Sequence, residues 1–538
     1  MTSTAATKSQ PSGEEERRSL AGRAGIVGAG TLVSRILGLV RDQSLAALFS
    51  RAETDAFWVA FTLPNALRSL LGEGAASAAV VPVLAKVRIE EGDDAARRFY
   101  AAMRGISLVA LTVATILGVA GAPWLVELFA SGLHARPGAF EQTVVLTRWV
   151  FPYIFFMGTA ALGMAALNSY GRFTAAAFAP ALLNVAFIVA CLLLPGWFAA
   201  AGYDRFYALV VGVLVGGLLQ VLAQWPSLRR IGFASWPTFH LRDRRVLDAL
   251  GRMVPMMAGI GIYAVDLMLS RRFLSELPEG SQSYFSWAMR LCDFPQGIFV
   301  LALQAAALPS LAKLVSSGQL DEVAKTYAYG MRLCLFVALP ATALFVAMAR
   351  PIVVTLLERG AFDATASTET ARALMAQGLG VWTVAAVRQI LPVFYALGDT
   401  RTPVIVSAID LVAFVASALI FRTMFGHAGV SMAVTLSSLV QMLLLWFGLG
   451  RRLPSLRLGE IGASAARTGL ASVVAGAAGF LTAQAFGGAG QGGGAVARAL
   501  PGLLGGVVFG TTFLLVAYVV RSPELHALVA AVRSRRRR

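Results

Sequence analysis

Residues 174–197 read Thr174-Ala-Ala-Ala-Phe178-Ala-Pro180-Ala-Leu-Leu-Asn184-Val-Ala-Phe187-Ile-Val-Ala-Cys191-Leu-Leu-Leu-Pro195-Gly-Trp197. No side chain in this stretch is charged, and its length suits a helix crossing a bilayer, which takes roughly 20 apolar residues. The rest of the 538-residue chain is built in the same way: 57% of residues are hydrophobic and only 14% charged, against about 25% charged in a soluble domain. A soluble chain of this composition would expose large apolar patches. The sequence is that of an all-α polytopic membrane protein.

Apolar runs between polar breaks predict fourteen crossings, at 25–49, 55–85, 103–131, 142–168, 174–197, 207–227, 250–274, 283–314, 328–349, 368–396, 403–424, 428–449, 461–486 and 499–520. The run 350–361 is too short to cross and leads into the tenth helix. Basic residues gather after even-numbered crossings: Lys86, Arg88, Arg97 and Arg98, then Arg229, Arg230, Arg244 and Arg245, then Lys313 and Lys325, then Arg451, Arg452 and Arg457. Odd loops carry mostly single charges such as Arg136, Arg205 and Arg422, with Arg271–Arg272 the exception. Loops rich in Lys and Arg face the cytoplasm, so both termini are expected there. The same bias accounts for the net charge of +17, which in a soluble protein would suggest nucleic acid; no nucleic-acid partner is expected. Anionic headgroups are the expected partner of the basic tail Arg533–Arg538. No short apolar core with a cleavage site follows the polar first twenty residues, which argues against a removable signal peptide.

The chain repeats itself. Pro82 in Val81-Pro82-Val83-Leu84-Ala85-Lys86 and Pro309 in Leu308-Pro309-Ser310-Leu311-Ala312-Lys313 are 227 residues apart, and Pro123 and Pro351 are 228 apart. The turn at Asn168-Ser169-Tyr170-Gly171 falls opposite Leu397-Gly398-Asp399. Six crossings per unit make a parallel repeat with a site expected between two six-helix lobes, chance similarity among apolar helices being the alternative. The expected organisation is a polar cytoplasmic N-terminus (1–20), an N-lobe (21–230), a C-lobe (231–455), two further helices (456–521) and a basic cytoplasmic tail (522–538).

Charges inside apolar stretches are costly, about 2.5–3.5 kcal/mol each on insertion scales, and normally face a cavity or a partner. The first crossing holds Ser34-Arg35-Ile36-Leu37-Gly38-Leu39-Val40-Arg41-Asp42. Arg35 and Arg41 lie about 120° apart on a straight helix, so both reach one cavity only if it is wide or the helix bends. The second crossing carries Asp55, Pro64-Asn65-Ala66-Leu67-Arg68 and Gly72-Glu73-Gly74, and the eighth carries Arg290-Leu291-Cys292-Asp293-Phe294-Pro295. Arginine, carboxylate and helix breaker recur together. One reading is a cationic cavity for an anionic substrate, for which guanidinium suits phosphate through paired hydrogen bonds. The other is arginines that snorkel or pair internally with Asp42, Glu73 and Asp293.

Asp266 and Asp410 are isolated carboxylates in the seventh and eleventh crossings, and Asp266 shares a helical face with Ser270. They are either a candidate cation or proton site or acids bonded to neighbouring helices. Cys191, Cys292 and Cys334 are far apart without CxxC spacing, and the four histidines are scattered, so neither disulfides nor a metal site is expected. With no P-loop and no nucleophile–base set, no enzyme is expected.

Ser34-Arg35-x-Leu37-Gly38-x-x-Arg41-Asp42, Thr54-Asp55-Ala56-Phe57, Leu63-Pro64-Asn65-x-x-Arg68 and Glu73-Gly74-Ala75 resemble the MurJ (MviN) lipid II flippases. Arg290 to Pro295, Leu308-Pro309-Ser310-Leu311 and Phe394-Tyr395-Ala396-Leu397-x-Asp399-Thr400-Arg401-Thr402-Pro403 extend the resemblance. It implies the multidrug/oligosaccharidyl-lipid/polysaccharide exporter fold, with helices thirteen and fourteen forming a groove for the lipid tail. It implies transport of the undecaprenyl-pyrophosphate-linked peptidoglycan precursor to the outer leaflet of the bacterial cytoplasmic membrane, driven by membrane potential or an ion gradient. By that resemblance Arg41, Arg68 and Arg290 hold the pyrophosphate, while Arg35, Asp42, Asp55, Pro64, Asn65, Glu73 and Asp293 support the cavity or its gates. No cofactor beyond a candidate coupling cation is implied, and lipid II and cell-wall synthesis proteins are the partners. The chain departs from relatives that carry a sodium site: Ser270 stands at the acid's place, and Phe414 and Ala418 occupy polar positions. The competing functions are a multidrug or polysaccharide-lipid exporter of the same fold, whose cavity would need aromatic or acidic groups for cationic drugs, and a non-transporting cell-wall scaffold, which has no reason to hold arginines at membrane depth.

Overall fold

The computed structural model describes residues 13–68, 75–239, 243–487 and 494–527, and these are helical without β-strands. The first set of helices is α1 Gly13–Leu48, α2 Arg51–Arg68, α3 Ala75–Glu91, α4 Asp93–Ala120, α5 Ala122–Ala130, α6 Ala139–Val150, α7 Tyr153–Ser169, α8 Phe173–Ala200 and α9 Tyr207–Arg230. The second set is α10 Arg244–Ser275, α11 Ser281–Pro295, α12 Leu301–Ser316, α13 Leu320–Ala347, α14 Ala349–Leu357, α15 Ala364–Gly378, α16 Val381–Ala396, α17 Arg401–Phe425 and α18 His427–Gly450. A π-helical turn, Gln296–Val300, joins α11 to α12. The hairpin α19 Leu458–Gly487 and α20 Ala495–Val519 follows.

The duplication is visible in the backbone. α4 and α13 are both 28 residues long, and α5 and α14 are both 9. The turn after α7 and the turn after α16 each place a glycine at positive φ, Gly171 at 70° and Gly398 at 76°. Each is closed by the same bond, Arg172 N–H to Leu167 O (2.8 Å) and Asp399 N–H to Phe394 O (2.9 Å). Glycine adopts this left-handed conformation without a Cβ penalty and so ends both helices alike.

Among the described residues, nine helical stretches are long and apolar enough to cross a membrane, and ten if α15 and α16, bent by 41°, count as one. The four expected crossings outside that set coincide with α1, α2 with α3, α10, and α11 with α12. These are the helices that carry internal charges or are split into short pieces. Lipid tails are as apolar as leucine, so close packing rather than hydrophobic exclusion holds such helices together. α1 packs on α8, α8 on α9 and α7 on α9; in the second set α17 packs on α18, α16 on α18 and α13 on α16. α10 packs on α17 and also on α2, α3 and α5, which joins the two sets. The α19–α20 hairpin lies against α13 and α14. Its far end is fastened by Arg332 of α13, which reaches buried Glu524 (2.7 Å) just beyond α20.

Candidate functional site

A cavity of about 1070 Å³ lies between the two sets of helices, lined by α1, α2, α7, α8 and α9 on one side and by α11, α13, α14 and α16 on the other. Arg35, Arg41 and Asp42 reach it from α1, Asn65 from α2, and Arg290 and Asp293 from α11. α1 runs without a break past Gly38, and both of its arginines line the one cavity.

Asp42 is the centre of the first cluster. It is 5% exposed and accepts from Arg41 Nε (3.0 Å) and Nη2 (2.7 Å) through one oxygen. Its other oxygen lies 3.3 Å from Arg290 Nε. Arg41 Nη1 also donates to Asn184 Oδ1 (3.0 Å), while Asn184 Nδ2 donates to the Ser34 carbonyl (2.9 Å), locking the arginine to the α1–α8 contact. The guanidinium of Arg41 sits 5.8 Å from the Phe187 ring centre and that of Arg290 4.8 Å from Trp58. Such faces attract cations by about 0.5–2 kcal/mol. One carboxylate thus holds two arginines, one from each set of helices, and the cluster keeps a net positive charge.

Arg35 turns away from this cluster. Its Nη1 donates to the backbone carbonyl of Asp293 (3.3 Å), and its guanidinium lies where a Cβ on Gly297 would be, 1.6 Å from Nη2. The π-helical turn therefore has glycine where the arginine rests on it. Such turns often mark functional sites.

Asp55 lies elsewhere. It is 1% exposed and accepts from Gly280 N–H (2.7 Å), Ser283 N–H (2.9 Å) and Ser283 Oγ (2.7 Å), with Arg136 Nη1 3.4 Å away. A carboxylate from α2 thereby satisfies the free N–H groups at the start of α11, where the helix dipole favours negative charge. Nearby, Ala361 N–H donates to the Ala47 carbonyl (2.8 Å) and Arg51 pairs with Asp363. Gly360, at φ 59°, approaches Ala47 so closely that a Cβ would meet its carbonyl oxygen at 2.1 Å. Together these contacts tie the two sets of helices to one another at the end that bears the odd-numbered loops. The Ala366 N–H and then Arg51 hold the Asp363 carboxyl below its ordinary range.

Pro64 lies inside α2. Arg68 ends α2, but its side chain is outside the described residues, as are Glu73, the first twelve residues, the 488–493 loop and the tail from 528. Asp266 on α10 and Asp410 on α17, two helices that pack together, each have a buried oxygen without a hydrogen-bond partner. Ser270 gives its hydroxyl to the Asp266 backbone carbonyl (3.0 Å), not to either carboxylate. Phe414 and Ala418 are fully buried and pack with Phe273 in an apolar cluster. Among the described residues no group of three or more His, Cys, Asp or Glu could hold a metal ion.

Sequence reading missed Asn184, Gln220 and Arg388 of the cavity wall. A signal existed for two of them. Asn184 is the one amide in the otherwise apolar stretch 174–197, and Arg388 is the one charge in Val381–Ala396.

Fold and cavity define an all-α polytopic membrane protein with a cavity between two sets of helices. A multidrug resistance MATE transporter of the MOP superfamily, solved in an inward-facing conformation, superposes with a TM-score of 0.67 at 16% identity, covering 80% of this chain and 95% of that one. A solved lipid II flippase MurJ, described as inward closed, superposes at 0.73 and 21% identity, covering 92% and 99%. The family model for lipid II flippase MurJ matches residues 45–491. The lipid II flippase MurJ of Burkholderia cenocepacia is 36% identical over 78% of this chain and 82% of its own. A probable lipid II flippase MurJ of Bdellovibrio bacteriovorus is 33% identical over 88% and 89%. The chain belongs to the lipid II flippase MurJ family.

Proposed function

We propose that the chain moves lipid II, the undecaprenyl-pyrophosphate-linked peptidoglycan precursor, from the inner to the outer leaflet of the bacterial cytoplasmic membrane by alternating access, driven by membrane potential or an ion gradient. The observation that carries this reading is the cluster at Asp42, where arginines from both sets of helices meet in one cavity. A bare diphosphate cannot enter hydrocarbon, since an uncompensated charge there costs several kcal/mol. Arg41 and Arg290, with Arg68, replace its water; Asp42 holds the two guanidinium groups ready and yields them when the diphosphate arrives. Arg35, Asn65 and Asp293 shape the wall beside them, and Pro64 removes one backbone donor from the helix that carries Asn65. An arginine-lined cavity also suits cationic drugs poorly, which disfavours the multidrug alternative.

In this reading the chain crosses the membrane fourteen times with both termini in the cytoplasm, and the contacts around Asp55 form the external gate. The α19–α20 hairpin offers the groove for the lipid tail, and the basic tail meets anionic headgroups. Cell-wall synthesis proteins are further partners. Asp266 and Asp410 form a site for the coupling cation or proton, with Ser270 stiffening the backbone beside it. The chain performs no covalent chemistry.

The test is depletion in cells followed by assay of lipid II topology, with complementation by Arg41→Ala and Arg290→Ala and expression checked. Accumulation of lipid II in the inner leaflet, unrelieved by either variant, is expected. Normal topology after depletion would end the reading.

A further inference from the structure

The cavity wall carries six charged side chains: Arg35, Arg41, Asp42, Arg290, Asp293 and Arg388. The first cluster uses three of them. The other three form a second set, again with two arginines to one carboxylate, and again with one arginine from α1 and one from the opposite side. Arg388 lines the same cavity as Asp293, whose backbone carbonyl accepts from Arg35 Nη1 (3.3 Å). Among the described residues Arg388 has no hydrogen bond or ion pair, and it stands alone on apolar α16. A cation at membrane depth is costly to keep and normally faces a cavity or a partner.

Arg35 and Arg41 are six residues apart on one unbroken helix, which is about 9 Å of rise. Arg41 is tied to Asp42 and Asn184, while Arg35 rests on Gly297, so the two point to different places. A single diphosphate, whose phosphorus atoms share one oxygen, does not span both clusters. Two anionic groups of one headgroup do. The geometry points to Arg35 and Arg388 as a second anion subsite, which takes a peptide carboxylate of the same substrate while the Arg41–Arg290 cluster takes the diphosphate. This rests on the reading of the cavity as a headgroup site.

Guanidinium matches carboxylate as well as phosphate through paired N–H donors. Asp293 is the carboxylate of this second set. An incoming carboxylate competes with it, which gives the proposal a sign that a merely structural role lacks: removing Arg388 weakens binding, and neutralising Asp293 strengthens it.

The experiment measures binding of three probes to the purified full-length protein in nanodiscs: undecaprenyl diphosphate, lipid II, and lipid II with its peptide carboxylates amidated. Arg388→Gln is expected to lower lipid II affinity about tenfold, the scale of one charge-assisted contact, and to leave undecaprenyl diphosphate unchanged. Amidated lipid II should bind wild type as weakly as lipid II binds Arg388→Gln. Asp293→Asn should raise lipid II affinity, and this arm stands if the Gln variant does not fold. Arg41→Ala should weaken all three probes. Equal loss of lipid II and undecaprenyl diphosphate in Arg388→Gln, no loss of either, or full wild-type affinity for the amidated form would overturn the second subsite. Wild type that binds lipid II but not undecaprenyl diphosphate would instead overturn the diphosphate reading of the first cluster.

Discussion

The α1–α8 pair and the α10–α17 pair hold equivalent places in the two repeats, and in each the two helices pack on one another, α1 and α8 more extensively. Their polar residues have diverged in sign. α1 and α8 bring Arg35, Arg41, Asp42 and Asn184 to the cavity, with every polar atom of Asn184 engaged on α1. α10 and α17 carry Asp266 and Asp410, two acids with buried oxygens left unpartnered. A duplicated helix pair thus carries an arginine-bearing wall in one repeat and a pair of acids in the other. The difference teaches that the repeat fixes where polar groups can be held at membrane depth, while the side chains decide which charge is held.

The largest effect is expected where this contrast is strongest. Arg41→Ala leaves Asp42 short of one partner and Asn184 short of another, and breaking a buried pair costs about 3–5 kcal/mol. Flipping should fall by more than a hundredfold. Arg41→Lys keeps the charge but loses the fork to Asp42, and recovery of a small part of the rate is expected in a vesicle flipping assay. Full activity in the lysine variant would show that charge alone suffices and that the bonding geometry is incidental.

Asn184→Leu tests the amide that joins α8 to α1. Two hydrogen bonds are lost, with Arg41 no longer steered, at about 1–3 kcal/mol. Transport should drop roughly tenfold to a hundredfold with little change in thermal stability. An unchanged rate would reduce Asn184 to a packing residue.

In the other repeat, Asp266→Asn and Asp410→Asn should leave substrate binding intact and alter the dependence of transport on the ion gradient. If each leaves both untouched, the acids bind nothing and the contrast between repeats loses its functional half.

A smaller effect is expected at the Asp55 contacts. Asp55→Asn weakens the acceptor for Gly280 and Ser283 N–H, worth about 1–2 kcal/mol, and a cysteine placed in the 358–364 loop should label faster. Asp363→Asn acts in the same direction but less, because an exposed pair such as Arg51–Asp363 contributes about 0–1 kcal/mol. The Asp363 carboxyl is held below its ordinary range, so its contribution is present at neutral pH and is lost as pH falls through the lowered value. Acid should therefore speed labelling in wild type and not in Asp363→Asn.

The sequence made the fold legible because uncharged runs such as 174–197 have few alternatives to crossing a bilayer. The repeat was legible from prolines and turn glycines, whose backbone demands persist while side chains drift. The site was legible where charge stood out against apolar surroundings, at Arg35, Arg41, Asp42, Arg290 and Asp293. Asn184 and Arg388 each stood out in composition, one amide and one charge in an apolar run, but neither gives a spacing to read, and only the packing of α8 and α16 places them at the cavity. Asp55 reads in sequence as one more intramembrane charge. Its role in tying the two sets of helices together depends on the start of α11, more than two hundred residues away. Ser270 shares a helical face with Asp266, yet its hydroxyl returns to its own backbone, a choice that periodicity does not determine.

The most direct test of the central claim, that arginines from both repeats jointly hold a diphosphate, is binding of undecaprenyl diphosphate to the purified protein and to Arg41→Ala, Arg290→Ala and the double variant. Each single variant should lose most of the affinity, and the double variant should lose little more, because the two arginines act as one unit around Asp42. Wild-type affinity in either single variant, or losses that simply add in the double variant, would contradict it.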